Sequence, residues 1–174
     1  MYKRQARHYK VEGDYSQAAF FLVANAIGNK VEIDDVLANS AQGDKEAINI
    51  LSRMGMTVKW NKSKNEIIPA ENNDLKATII DGSQCPDIIP VLSVAAALAK
   101  GTTKIIKAGR LRIKECDRLK AVASELTKLG AKIEEKEDGL IIEGVESLKG
   151  GVEVWSWKDH RIAMTLAIAA TRCK

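Results

Sequence analysis

The sequence predicts an α/β (α+β) protein built from a repeated βαβαββ unit. Three segments carry this prediction, because each starts with an aspartate and continues as an alanine-rich helix that is apolar on nearly every side. They read DYSQAAFFLVANAIGN from Asp14, DIIPVLSVAAALAKGT from Asp87 and DHRIAMTLAIAATRCK from Asp159. Their starts lie 73 residues (14 to 87) and 72 residues (87 to 159) apart. A fixed period of this kind indicates stacked units that bury a shared core.

Each buried helix is predicted to begin after its aspartate, whose carboxylate can accept a hydrogen bond from a backbone N–H of the first turn. A second, amphipathic helix follows in two of the units, as DKEAINILSRMGMTVKW and DRLKAVASELTKLGAKIEE. Gly55 and Gly130 are predicted to end these helices, because the residue after a helix C-cap often needs a positive φ.

Short runs rich in β-branched residues flank these helices and are predicted to be strands. They read KVEI, TVKW and EIIP in the first unit and TKIIKA, AKIEE and LIIEG in the second, while KATII and VEVWSW lead into the next buried helices. The predicted units span approximately residues 8–73, 74–149 and 150–174 of a single domain, 1–174. Because the third unit stops after its first helix, we expect a truncated unit and a fragment of a longer protein.

The composition argues against several classes of protein. A net charge of +4 is too small for electrostatic binding of nucleic acid. The longest apolar stretch, residues 88–99, is shorter than the roughly 18 residues of a membrane span. Three widely spaced cysteines, with only two histidines, indicate a reduced, cytoplasmic protein without a metal site. The cysteines are Cys85, Cys116 and Cys173.

The charged stretch LRIKECDRLK lies where the second helix of the second unit begins. Four residues before the apolar Leu119 and Val122 stand Glu115 and Arg118, which continue the inward stripe of the helix past its N-terminal end. Lys114 lies on a neighbouring face. Charges at a helix start are usually solvated, so the spacing alone favours a surface pair between Glu115 and Arg118. The predicted inward stripe is Leu119, Val122, Leu126 and Leu129.

The motif DHR places an N-cap, an imidazole and a guanidinium directly before a buried helix, at Asp159, His160 and Arg161. If the units stack side by side, the three buried helices run parallel and their N-termini share one end of the domain. Helix N-termini favour anions, and Lys114 and Arg118 would add positive charge there. The sequence therefore predicts a phosphate or carboxylate site at this end of the domain.

The chain resembles the 5-enolpyruvylshikimate-3-phosphate synthase family (3-phosphoshikimate 1-carboxyvinyltransferases) in its C-terminal half, over nearly the whole length. The resemblance is carried by VEGDYSQAAFFL, by the PD..P segment within residues 81–90, by LRIKECDR and by DHRIAM, in that order. LRxKExDR together with DHRxAM is highly specific for this family. The resemblance implies an inside-out α/β barrel domain of three βαβαββ units around a pseudo-threefold axis, with the active site in the cleft facing a second domain.

The family resemblance also implies an activity. Its members are transferases of aromatic amino acid biosynthesis that move the enolpyruvyl group of phosphoenolpyruvate onto the 5-hydroxyl of shikimate 3-phosphate and release phosphate, without a cofactor. The implied partners are these two substrates and the missing N-terminal domain. Because that domain is missing, we expect the face with the site to be open to solvent and its charges to be less paired than in a closed site. We expect a cytoplasmic monomer that binds neither nucleic acid nor membrane, and we expect the isolated chain to be inactive.

Residue roles follow from the same resemblance. Asp87 matches the proton acceptor that also holds the shikimate hydroxyls, although an aspartate at this position is more often a helix cap. Glu115 matches the carboxylate placed for proton transfer at the methylene carbon. Lys114 matches a residue at the shikimate 3-phosphate, with catalytic importance. Arg118 and Arg161 match the arginines that clamp phosphoenolpyruvate, a task suited to a bidentate guanidinium.

The predictions also include two further positions near the site and two alternative functions. His160 stands beside the predicted site, and Arg110 replaces an asparagine that touches substrate in some members of the family. The chain could instead belong to the UDP-N-acetylglucosamine enolpyruvyl transferases, which share the fold but lack the motif pair. It could also be a non-catalytic binding module of split βαβ units, which would leave the inward charges unexplained.

Overall fold

The secondary structure is given by a computed structural model that describes residues 8, 10–61, 63–68 and 74–174. The helices are α1 (Tyr15–Ala26), α2 (Glu46–Arg53), α3 (Ile89–Ala97), α4 (Arg118–Lys128) and α5 (His160–Ala170). The strands are β1 (Lys59–Asn61), β2 (Glu66–Ile68), β3 (Ile79–Asp81), β4 (Thr102–Ile106), β5 (Lys132–Lys136) and β6 (Gly139–Glu143). Short 3₁₀ turns cover Gly43–Lys45, Pro86–Ile88 and Gly109–Ile113.

The second unit forms the predicted βαβαββ arrangement. Its sheet has the order β3-β4-β6-β5, with β3 and β4 parallel and joined through α3. β4 pairs with β6, and β6 with β5, in antiparallel register, so Ile105 lies opposite Leu140 and Ile133 opposite Ile142. Parallel neighbours need such a helical crossover, whereas β5 and β6 need only a tight hairpin.

The first unit forms less regular sheet structure than predicted. β1 and β2 pair as a two-stranded antiparallel ribbon, with Trp60 opposite Ile67. The predicted strand KVEI is reduced to a single bridge between Ile33 and Ile67, with hydrogen bonds in both directions. Part of the segment between β2 and β3, residues 69–73, lies outside the described residues, including the end of the predicted strand EIIP.

The apolar helices form the centre of the fold. All nine residues of α3 are buried, as are ten of the twelve residues of α1. The prediction for α5 is only partly right, because four of its eleven residues are buried and they form a single stripe. α5 packs against α1, α3 and α4, and its residues outside the stripe are exposed or half-buried. The buried α5 residues are Ile162, Thr165, Leu166 and Ala169.

Two of the three predicted aspartate caps are present. Asp14 accepts a hydrogen bond from the backbone N–H of Ser16 (2.7 Å), and Asp159 accepts one from that of Arg161 (2.8 Å). The predicted cap at Asp87 is wrong, because this residue lies inside the 3₁₀ turn and Ile88 holds the cap position of α3. Pro90 has no N–H to donate, which removes one of the bonds that a cap would accept. The carboxylate of Asp87 is therefore available for side-chain partners.

The predicted ends of α2 and α4 are confirmed, but the predicted strand VEVWSW is wrong. Gly55 and Gly130 follow the C-caps with φ of 102° and 85°. Residues 152–157 pair with no strand of the described chain. Instead, the backbone N–H of Trp155 donates to the carboxylate of Glu125 on α4 (2.8 Å).

The predicted parallel arrangement of α1, α3 and α5 is confirmed by contacts at both ends. At the N-terminal end, Arg161 of α5 reaches Ser16 of α1 (3.1 Å) and the backbone carbonyl of Asp87 before α3 (3.4 Å). At the C-terminal end, Asn29 after α1 donates to Thr171 after α5 (3.0 Å), and Leu98 after α3 lines one cavity with Ile27 and Arg172. Within the described part of the chain, none of the helices has the length and hydropathy required to cross a membrane.

Candidate active site

Arg118 is the centre of a cluster of charged side chains at the shared N-terminal end of the helices. Its side chain is only 1% exposed. Its Nε donates to Oδ2 of Asp159 and its Nη1 to Oδ1 of Asp87, both at 2.8 Å, while its Nη2 donates to Glu115. One guanidinium thus joins carboxylates from the second and third units. A planar fork with donors on three nitrogens suits this arrangement better than a lysine would.

The local sequence explains why a charged residue is buried here. Arg118 is the first residue of α4, one turn before the buried Val122, so its side chain enters the interior at the end of the apolar stripe. Burial would lower the pKa of Arg118, but the carboxylate of Asp159, with Glu115 and Asp87, raises it overall. Burial would likewise raise the pKa of Asp159, but its bond to Arg118 and the backbone N–H of Arg161 lower it overall. Both groups therefore stay ionised.

Asp87 is an ionised carboxylate with cations on several sides. Its Oδ1 accepts hydrogen bonds from Arg118 and from Nζ of Lys114 (3.1 Å), and its Oδ2 lies 3.8 Å from Nη2 of Arg161. Burial would raise the pKa of Asp87, but Lys114, Arg161 and Arg118 lower it overall. Asp87 is therefore ionised, and its oxygens can accept a hydrogen bond from a hydroxyl group.

Arg161 is the least compensated cation of the cluster. Its side chain is 12% exposed, yet its closest carboxylate oxygen in the described chain is that of Asp87 at 3.8 Å. Its other partners are neutral oxygens, the hydroxyl of Ser16 and the carbonyl of Asp87. A nearly buried guanidinium without a close counter-ion favours an external anion.

The prediction of loosely paired charges holds for Arg161 but not for Arg118, which contacts three carboxylates. The three cations Lys114, Arg118 and Arg161 face three carboxylates, and each carboxylate contacts at least one cation. The physical reason is that removing an ion from water costs free energy, which only partners in close contact can offset. The solvent-open part of the prediction holds for Glu115, whose side chain is 53% exposed.

Two predicted positions do not join the cluster. His160 is exposed, and its Nδ1 lies 3.9 Å from Oδ1 of Asp159. Arg110 is exposed in the 3₁₀ turn Gly109–Ile113, and its side chain makes no hydrogen bond or ion pair with any described residue. No group of metal-ligating side chains occurs among the described residues, and Cys85, Cys116 and Cys173 have free thiols.

Two residues at the site were not predicted. Ser16 donates from its hydroxyl to Oδ2 of Asp14 (2.9 Å) and accepts from Arg161. Ser16 could have been recognised in the sequence by its position two residues after a helix-capping aspartate. Asp44 is half-buried nearby, and its pKa is raised by burial and by the charges of Asp87 and Asp14. No motif in the sequence marks Asp44.

Comparison with known proteins agrees with this geometry. Residues 2–174 match the EPSP synthase (3-phosphoshikimate 1-carboxyvinyltransferase) family model. A 3-phosphoshikimate 1-carboxyvinyltransferase from Clostridium beijerinckii is 67% identical over 166 residues, which are 95% of this chain and 38% of the relative. One from Clostridioides difficile is 65% identical over 169 residues, which are 97% of this chain and 38% of the relative.

Solved structures give the same result for the fold. An EPSP synthase from Acinetobacter baumannii, solved at 2.37 Å, superposes with a TM-score of 0.80 at 34% identity, over 94% of this chain and 40% of that one. The chain thus spans less than half the length of the proteins that it matches. Its α/β architecture and nearly its whole sequence correspond to one part of those proteins. The chain belongs to the EPSP synthase family.

Proposed function

We propose that this chain provides one side of an active site that transfers the enolpyruvyl group of phosphoenolpyruvate to the 5-hydroxyl of shikimate 3-phosphate and releases phosphate. The observation that carries the proposal is the pair formed by Arg161 and Asp87. An under-compensated guanidinium and an ionised carboxylate lie 3.8 Å apart at the N-termini of the apolar helices. The guanidinium of Arg161 can bind an anionic substrate, and the carboxylate of Asp87 can accept the proton that the hydroxyl group must lose.

The reaction assigns a task to each charged group. The hydroxyl oxygen attacks C2 of phosphoenolpyruvate while the methylene carbon takes a proton, and the tetrahedral intermediate then loses phosphate and a proton. Asp87 accepts the hydroxyl proton, and Glu115 exchanges the proton at the methylene carbon. Lys114 binds shikimate 3-phosphate beside Asp87. Cations that are fixed before the reaction stabilise the developing negative charge without reorganisation.

Arg118 is proposed to bind phosphoenolpyruvate together with Arg161. Its bond to Asp159 is fully buried and Asp87 is 31% exposed, whereas Glu115 is the most exposed of the three carboxylates, at 53%. A substrate oxygen can therefore reach Nη2 of Arg118 by displacing Glu115. That exchange would free the Glu115 carboxylate for proton transfer at the time when the substrate is bound.

The remaining assignments concern the rest of the protein. Lys114, Arg118 and Arg161 are balanced by three carboxylates, so this chain alone offers little net charge to two anionic substrates. We propose that a complementary domain, such as the longer relatives have room for, contributes further cations across a cleft. On this proposal residues 1–174 form part of one domain, and His160 and Arg110 lie at the rim of the cleft.

A chimera tests the proposal directly. In the Clostridium beijerinckii relative, the segment that matches this chain is replaced by the chain itself, and phosphate release is measured with both substrates. We expect phosphate release that requires shikimate 3-phosphate and is absent when UDP-N-acetylglucosamine takes its place. A folded chimera that releases phosphate only with the sugar nucleotide, or with neither acceptor, would contradict the proposal.

The isolated chain should show no turnover, because the charges of its cluster are balanced internally and the chemistry needs a closed, water-poor cleft. The same phosphate assay measures this with the 174-residue chain at the enzyme concentration used for the chimera. The active chimera is the positive control. Phosphate release by the chain alone, at a rate that Asp87→Ala abolishes, would show that the second side is unnecessary.

Ser16→Ala in the chimera should raise the KM for phosphoenolpyruvate by roughly fivefold with little change in kcat, the effect of one ordinary hydrogen bond. The substitution removes the hydroxyl that accepts from Arg161 and is itself held by Asp14. Gln17→Ala, one residue along the same helix, is the matched control and should leave the KM unchanged. Equal effects of both substitutions would argue against a role for Ser16 in placing Arg161.

A further inference from the structure

A second buried carboxylate lies outside the charged cluster, on the same helix. Glu125 stands seven residues, or two turns, after Arg118 and therefore on the same face of α4. Its side chain is 2% exposed. Glu125 accepts hydrogen bonds from the backbone N–H of Trp155 (2.8 Å), from Nε1 of Trp157 (3.0 Å) and from Nζ of Lys128 (2.8 Å). None of the proposed catalytic steps uses this residue.

The two tryptophans belong to a short segment that leads into the site, residues 155–158, here called the strap. Trp157 and Lys158 have φ of 55° and 56°, a left-handed conformation that is unfavourable for residues other than glycine. The rings of Trp155 and Trp157 stack with their centroids 5.0 Å apart. Such a conformation persists only when surrounding contacts hold it.

Those contacts come from one face of α4. Glu125 holds the beginning of the strap, through Trp155 and Trp157. Arg118 holds the residue that follows it, through the 2.8 Å bond from its Nε to Asp159. The direction of the chain as it enters α5 is therefore fixed at two points, two helical turns apart. Arg161 comes two residues after Asp159. Asp159 caps α5 by accepting a hydrogen bond from the backbone N–H of Arg161.

We propose that Glu125 is a positioning residue for the anion site: by holding the strap it fixes Asp159, and through Asp159 the orientation of both Arg118 and Arg161. The inference rests on the proposed function for its catalytic consequence. Its structural part, the link from Glu125 to Asp159, stands on the contacts alone.

The chemistry of Glu125 fits a holding role better than a packing role. Burying a carboxylate is costly unless partners compensate for the loss of water, and an apolar residue would fill the same space more cheaply. Burial would raise the pKa of Glu125, but the hydrogen bonds from Lys128, Trp157 and the backbone of Trp155 lower it overall. The group is therefore ionised, and an ionised acceptor forms stronger bonds to N–H donors than a neutral one.

The experiment uses two mild substitutions that keep the shape of the region. Glu125→Gln keeps the size of the side chain but removes its charge, and Trp157→Phe keeps an aromatic ring but removes the Nε1–H donor. Lys128→Ala is the matched control, because it removes the exposed partner of Glu125 and leaves both bonds to the strap. Each is made in the 174-residue chain and in the chimera.

In the 174-residue chain, the readout is the exchange with solvent of the Nε–H proton of Arg118, followed by NMR. We expect Glu125→Gln and Trp157→Phe each to raise the exchange rate by roughly fivefold or more, the ratio that corresponds to one ordinary hydrogen bond. Lys128→Ala should leave the rate near that of the parent chain. Unchanged exchange in both strap variants would overturn the proposal, whether or not the chimera is active.

In the chimera, the readout is the split between KM and kcat. Both strap variants should raise the KM for phosphoenolpyruvate by roughly fivefold or more and change the KM for shikimate 3-phosphate less. If both KM values stayed unchanged and the activity fell only because less enzyme was folded, Glu125 would have a role in stability alone. That result would overturn the proposal. An inactive parent chimera would count against the proposed function, and the proton-exchange result would then decide the structural link by itself.

Discussion

Asp87→Ala in the chimera should lower kcat for enolpyruvyl transfer by about 10²–10⁴-fold, the usual contribution of a positioned acid or base. The KM for phosphoenolpyruvate should change far less, because the substitution removes no donor to that substrate. Asp87 is not used as a helix cap, and its carboxylate is ionised between Lys114 and Arg118. Steady-state kinetics with each substrate varied in turn, on protein of verified fold, measure both parameters.

Arg161→Ala is the matched comparison for this prediction. It should weaken binding of phosphoenolpyruvate by about 1.5–3 kcal/mol, the cost of one hydrogen bond to a charged group, with a smaller effect on kcat. The two substitutions thus have opposite signatures, although the two side chains lie 3.8 Å apart. If Asp87→Ala mainly raised the KM and Arg161→Ala mainly lowered kcat, the roles assigned to these residues would be refuted.

Arg118→Ala should lower the free energy of unfolding of the 174-residue chain by about 3–5 kcal/mol, because it leaves a buried carboxylate without its counter-ion. Asp159 has no exposed side-chain surface, and its main partner is Arg118 at 2.8 Å. The substitution should also weaken binding of phosphoenolpyruvate in the chimera, by about 1.5–3 kcal/mol for each charged hydrogen bond lost. Urea unfolding followed by circular dichroism measures the first effect.

Two comparisons make the stability prediction specific. Lys107→Ala breaks an exposed ion pair with Asp81 and should leave the free energy of unfolding nearly unchanged, because solvent screens such a pair. The pH dependence provides the second comparison, because the folded pKa values of Asp87 and Asp159 are lowered. Their stabilisation is present above the unfolded pKa of about 3.9 and is lost as the pH falls through the lower folded values. Arg118→Ala should flatten this acid-dependent loss, and an unchanged pH profile would contradict the assignment.

The repeat and the C-terminal ends of α2 and α4 could be predicted from the sequence because their signals are local. The spacing of Asp14, Asp87 and Asp159, together with the alanine-rich segments after them, is visible without any long-range contact. Gly55 and Gly130 likewise adopt the predicted positive φ because the conformation is set within one turn of helix. The motif pair in LRIKECDR and DHRIAM was sufficient to indicate the family.

The cap at Asp87 and the strand VEVWSW were mispredicted because in both places a partner distant in sequence replaced the local pattern. Arg118, 31 residues further along the chain, donates a hydrogen bond to the carboxylate of Asp87. Glu125, 30 residues before Trp155, accepts the hydrogen bond from the backbone N–H of Trp155 that a carbonyl of a neighbouring strand would otherwise accept. No periodicity marks Glu125 as different from the other charged residues of α4.

The sequence by itself determined the repeated unit, the elements of its second copy, the family, and the residues that gather at one end of the helices. Only the tertiary structure decided how those residues are paired: Arg118 enclosed by three carboxylates, Arg161 with none in close contact, and α5 buried on a single stripe. The physical reason is that periodicity and capping depend on neighbours within a few residues. The strength of an ion pair depends instead on burial and on atoms that meet only after the units have stacked, as Arg118 meets Asp159 across 41 residues.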